Sequence, residues 1–102
     1  MRVQNFYNKN QFIIEDDDSN VTFQSYDSEI ANIKDGVLTL HTNWDYSHTT
    51  QKYLYMFLGE YAYKIHNLEL RSVIINTMKY CDNKRQHLQT LIDKKFINYV
   101  ED

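Results

Sequence analysis

Proline is absent from this chain, glycine occurs only at Gly36 and Gly59, and cysteine only at Cys81. Two isolated glycines cannot build a Gly-rich loop that cradles phosphate. A single cysteine cannot close an internal disulfide, which fits a reducing compartment. No apolar run approaches the roughly 18 residues of a spanning helix. The opening MRVQNFYNKNQF has no apolar segment of the secretory type. These absences predict a protein of the cytoplasm with no membrane partner. His41, His48, His66 and His87 include no pair three or four residues apart, and no Cys-x-x-Cys occurs. No zinc-ligand pattern is present, so neither a metal nor a cofactor is expected.

What remains is 102 residues, 42% hydrophobic and 15% aromatic, which is enough for one small core and one domain over 1–102. Charge is unevenly spread. Residues 1–47 carry three Lys/Arg against eight Asp/Glu, and residues 48–102 carry eight against six. Heavy use of Asn, Asp, Ile, Lys and Tyr is the codon signature of an AT-rich genome and points to a low-GC bacterium or its phages.

Hydropathy period divides the chain into a β-rich part, 1–43, and a helical part, 47–100. QFII and VTFQSY read as strands, with the polar EDDDSN turn between them. In IANIKDGVLTLH, Asp35-Gly36 is a type I′ turn pair. A two-residue loop there pairs Lys34 with Val37, Ile33 with Leu38, Asn32 with Thr39 and Ala31 with Leu40. It sets Ala31, Ile33, Leu38 and Leu40 on one face. Beyond His41 the period lengthens. Leu54, Phe57, Leu58, Tyr61 and Ile65 form a helical stripe, with Ser47 as N-cap, its hydroxyl oxygen accepting from the amides of Thr49 or Thr50. Leu70, Ile74, Met78 and Cys81 form a second stripe. Leu88, Leu91, Ile92, Phe96 and Tyr99 form a third, capped by Asp82, although no Gly or Pro enforces a break at Tyr80–Asn83. The expected fold is α+β: an antiparallel meander of three to four strands packed against about three C-terminal helices.

Residues 43–63, NWDYSHTTQKYLYMFLGEYAY, hold the single Trp and five of nine tyrosines. Tyr53, Tyr55 and Tyr63 lie off the stripe or at its margin and are candidate partner contacts, exposed unless a later helix covers them. Trp44 is expected to plug the end of the sheet, with Asp45 accepting from nearby amides. Asp16, Asp17 and Asp18 form a polar turn or, with Asp27, Glu29 and Asp35, an acidic face for a partner. Lys79, Lys84, Arg85, Lys94 and Lys95, near Tyr80 and Tyr99, form either a solvated face or a surface for RNA or single-stranded DNA. Cys81 and His87 are expected on different helical faces, with the thiol in the core. No acid, base and nucleophile come together in the sequence, so no catalytic residue is assigned and the chain is not expected to be an enzyme.

The segments SYDSEIA and WDYSHTTQKY carry a resemblance. Through Ser25, Tyr26, Ser28, Ile30, Ala31, Trp44, Asp45, Tyr46, Ser47, Thr49, Thr50, Lys52 and Tyr53, the chain resembles a family of small proteins from phages and plasmids of low-GC Gram-positive bacteria. The likeness covers residues 25–58. It implies a mobile-element setting, in which such accessory proteins bind and inhibit host proteins or defence ribonucleoproteins, in the manner of anti-CRISPR proteins, within the host bacterial cytoplasm. The other expectation is a small RNA- or DNA-binding regulator that uses the basic helices. A tyrosine-rich helix also suits a homodimer.

Overall fold

The Asp35-Gly36 turn forms with both residues left-handed, φ 52° and 78°. Its register joins Lys34 to Val37, Ile33 to Leu38, Asn32 to Thr39 and Ala31 to Leu40, as expected. The four apolar residues assigned to one face are each no more than 1% exposed. This hairpin lies within a computed structural model that describes residues 1–101, so Asp102 is outside the described residues.

Around the hairpin runs one sheet in the order β1 (Arg2–Asn5), β2 (Gln11–Glu15), β3 (Val21–Ser25), β4 (Ser28–Lys34), β5 (Val37–His41) and β6 (Asn98–Val100). The first five strands make an antiparallel meander, and β6 pairs parallel to β5. Six strands replace the expected three to four, and the additions are the two edges. All residues of β1 and β6 are exposed. Neither segment has the alternation that announces a strand, and each is held by its neighbour's ladder.

Between β5 and β6 stand α1 (His48–Tyr61), a 3-10 turn (Ala62–Lys64), α2 (Leu68–Tyr80) and α3 (Lys84–Asp93). Ser47 caps α1, accepting the Thr50 amide at 3.1 Å. Asn67 caps α2 through the Leu70 amide at 3.0 Å. Helices two and three are separate, and Asn83 rather than Asp82 caps α3, accepting the Gln86 amide at 3.1 Å. The helical part stops at Asp93 instead of running to residue 100. Lys95 turns the chain with φ 65°, leaving Phe96 60% exposed and sending Tyr99 into β6. The third stripe therefore ends at Ile92.

Strand and helix apolar residues meet in one cluster that includes Ile13, Val21, Phe23, Leu54, Phe57, Ile74 and Leu88. An aromatic ladder crosses it: Phe23 stacks on Phe57 at 5.8 Å, Phe57 on Tyr61 at 5.3 Å, and Tyr61 on Tyr63 at 6.4 Å. Burying the Phe23 and Phe57 rings, both fully inside, stabilises the fold by about 1.5–3 kcal/mol apiece. The aromatic density of 43–63 is thus partly core, and Trp44 is only 2% exposed.

The register shifts between Phe23 and Gln24, so Phe23 faces Ala31 while Gln24 faces Glu29. The extra residue, Ile30, is buried beside Ala31, so two consecutive side chains enter the core. This bulge moves Glu29 to the opposite face of the sheet.

Candidate functional site

The β3–β4 turn and the start of α1 face each other across a cleft of about 400 Å³. Ser25, Tyr26, Ser28 and Ile30 line one wall, and Asn43, Tyr46 and Thr50 line the other. Two segments prominent in the sequence, 25–31 and 44–53, therefore contribute to one concavity. The bulge supplies Ile30 to its floor, and the Ser47 cap fixes the first turn of α1 that carries Thr50.

Tyr26 occupies the two-residue turn after Ser25, whose register partner is Ser28. Its φ is 54°, a conformation that strains a bulky residue by about 1–2 kcal/mol. Two hydrogen bonds hold it there: the Tyr26 amide donates to the Asn10 carbonyl at 2.7 Å, and Gln24 Nε2 donates to the Tyr26 carbonyl at 2.7 Å. The ring is consequently directed outward, 58% exposed, while Tyr46 on the opposite wall is 80% exposed. Deeper in, Ser25 is 4% exposed and its Oγ has no partner among the described residues. Gln11, opposite Ser25 in the β2–β3 register, has an Oε1 in the same condition. Hydroxyls and a carboxamide, flanked by two phenol rings, can hydrogen-bond and pack.

Of the three tyrosines chosen from the sequence, the structure corrects one. Tyr53 is 8% exposed and belongs to the core cluster, with Asn8 Nδ2 donating to its hydroxyl at 3.5 Å. Tyr55 is half-buried and donates to Gln51 Oε1 at 3.1 Å, and burial raises its phenol pKa. Tyr63 is 61% exposed, at the outer end of the aromatic ladder. Sequence reasoning did not single out Tyr26 and Tyr46, the exposed tyrosines of the cleft walls. The Ser-Tyr-x-Ser and Trp-Asp-Tyr-Ser segments were the available signal.

The acidic triplet is largely a turn. Asp16 accepts from the Asp18 amide at 2.9 Å, and from the Asn20 amide and side chain at 3.0 Å each. These hydrogen bonds, those from Asn20 foremost, lower its carboxyl pKa. Asp17 meets the N-terminal ammonium at 3.1 Å, and Asp18 lines a separate shallow groove with Tyr63 and Lys64. On the sheet face away from the helices, the bulge brings Glu29 within 2.6 Å of His41 Nε2 and lets it accept from Asn32 Nδ2 at 2.7 Å.

Among the basic residues, Arg85 binds Asp45 through Nε at 3.0 Å and Nη2 at 2.8 Å, with its guanidinium 5.8 Å from the Trp44 ring centre. Asp45 thus pairs with a cation rather than accepting from nearby amides. Lys84 donates to the Cys81 carbonyl at 2.8 Å. Lys79, Lys94 and Lys95 are exposed. Cys81 and His87, expected on different faces, line one open groove with Tyr80, and the thiol is only partly buried. Thr77 Oγ1 donates to the Val73 carbonyl at 2.7 Å, so it accepts from His87 Nδ1 at 3.1 Å. That places the neutral ring's proton on Nδ1.

Among the described residues, no cluster of three or more His, Cys, Asp or Glu side chains is placed to hold a metal ion. No helix there is long and apolar enough to cross a membrane. No curated protein and no solved structure matches the chain. Every residue lining the cleft falls within residues 1–72, and over that span the chain belongs to a family of unknown function (DUF8033).

Proposed function

We propose that this is a non-enzymatic accessory protein of a phage or plasmid of low-GC Gram-positive bacteria. It acts in the host bacterial cytoplasm by docking on a host protein or a CRISPR-type defence ribonucleoprotein. The observation that carries this reading is the pair of outward tyrosines, Tyr26 and Tyr46, on opposite walls of one cleft. Phenol rings on short, constrained backbones offer contact area with little entropy to lose, the property that places tyrosine in binding surfaces. Strain retained at Tyr26 is consistent with a positioned contact residue.

Capture from a low-GC Gram-positive host lysate, with mass spectrometry and nucleic-acid extraction of what is retained, tests the proposal. A specific partner should be held by the wild type and by Tyr80→Ala, a change in a different groove, and lost by Tyr26→Ala/Tyr46→Ala. Equal retention by all three would reject the cleft as the docking surface. RNA or DNA binding through Lys79, Lys84, Arg85, Lys94 and Lys95 is the second function considered. It has less support, because Arg85 and Lys84 are already engaged within the fold.

A further inference from the structure

The geometry points to a neutral, polyhydroxylated ring, a sugar, as the ligand of the cleft between Ser25 and Thr50. The inference rests on the cleft being the binding site and specifies what enters it. Three observations determine the class.

The first is an unmet hydrogen bond. Ser25 is 4% exposed and lines the cleft, yet its Oγ has no partner among the described residues. Leaving a buried hydroxyl unmatched is unfavourable, and a ligand group that completes it recovers the difference.

The second is charge. No Lys or Arg lines the cleft, and Asp27 adjoins it in the β3–β4 turn. The first turn of α1, which would otherwise attract an anion, already has its Thr50 amide satisfied by the Ser47 hydroxyl at 3.1 Å. Phosphate and carboxylate ligands are therefore disfavoured.

The third is the type of polar group. Of the lining residues, Ser25, Ser28, Thr50, Tyr26 and Tyr46 carry hydroxyls, that of Thr50 already accepting from Ser47 Oγ at 3.1 Å, and Asn43 alone carries a carboxamide. A hydroxyl both donates and accepts, so it matches a ligand whose own hydroxyls do the same. Nucleobases have fixed donor and acceptor edges and are better matched by fixed-role groups, of which this lining has one. The exposed phenol faces of Tyr26 and Tyr46 suit the C–H face of a sugar ring, leaving its edge to the hydroxyls. A volume of about 400 Å³ accommodates a monosaccharide or a short glycan end.

Titration of the isotope-labelled full chain, followed by amide chemical shifts, provides the test. The probes are neutral monosaccharides (glucose, galactose, N-acetylglucosamine and ribose), the four ribonucleosides, and inorganic phosphate. A saturable response to at least one sugar is expected at the amides of Ser25, Tyr26, Ser28, Asn43 and Thr50, with none to phosphate. Ser25→Ala and Tyr46→Ala should each weaken that binding about tenfold, the effect of one lost hydrogen bond or ring contact. Ser25→Ala should keep or raise thermal stability, since it removes an unmatched buried group; a purely structural serine would instead lose stability without changing affinity. A response to nucleosides without sugars, a response to phosphate, shifts outside the cleft, or no response would each overturn the ligand class. Partner capture that still depends on Tyr26 and Tyr46 would then leave the docking proposal standing. Sugar binding combined with tyrosine-independent capture would reject docking while retaining the ligand.

Discussion

Arg85 on α3 holds Asp45, forty positions earlier, at 2.8 and 3.0 Å while lying over the ring of Trp44. The contact ties the last helix to the junction where the sheet becomes α1. Because the Arg85 and Asp45 side chains are 45% and 26% exposed, solvent weakens the pair. Arg85→Ala should lower stability by about 1 kcal/mol, combining a partly screened ion pair with lost cation–π contact. In a double-mutant cycle with Asp45→Asn, chemical denaturation should give a coupling of about 0.5–1 kcal/mol. Strict additivity would show that the two residues do not communicate.

The two glycines should respond in opposite directions to alanine. At Gly36, φ is 78° and an added Cβ would lie 2.0 Å from the His66 ring. Gly36→Ala should cost at least about 2 kcal/mol, and adding His66→Ala should recover the steric part but not the left-handed strain. At Gly59, inside α1, a Cβ meets nothing within 4 Å. Gly59→Ala should stabilise by about 0.5–1 kcal/mol. Urea melts of the three variants measure both effects.

Asp16 supplies a pH test. Its folded pKa lies below the ordinary 3.8 because Asn20, and then Asp18, donate to the carboxylate. A lowered folded pKa adds stability above the unfolded value, and that stability disappears as pH falls through the folded value. The stability difference between wild type and Asp16→Asn should therefore be level from neutral pH down to about pH 5 and shrink only below the ordinary carboxylate range. Denaturant melts across that window would contradict this if the difference grew on acidification.

The β4–β5 hairpin was legible residue by residue because Asp-Gly fixes the turn and strict alternation fixes the register. The Ser47 cap was legible for a similar reason: a local hydrogen bond leaves a local pattern. Residues 98–100 were not. Phe96 and Tyr99 continue a helical spacing from Leu88, but the strand forms only because β5 offers an open edge. The exposed β1 gave no hydrophobic signal either. Tyr53 was misplaced because an N-terminal loop, distant in sequence, covers it through Asn8. The cleft itself depends on a bulge and on a contact between segments about twenty residues apart, neither of which hydropathy records.

The basic residues permit a direct comparison. If the protein contacts a partner through the cleft, nucleic-acid affinity measured by fluorescence anisotropy should be weak, and unchanged in Lys79→Ala/Lys94→Ala/Lys95→Ala. Tight RNA or single-stranded DNA binding that falls steeply with salt, and that this triple change reduces by an order of magnitude or more, would favour the nucleic-acid function.

The most direct test of the cleft is amide hydrogen exchange on the full chain, alone and bound to its captured partner. New protection is expected at 25–30 and 43–50, with α2 and α3 exchanging as in the free protein. Protection confined to residues 79–95, with the β3–β4 turn and the start of α1 unchanged, would contradict it.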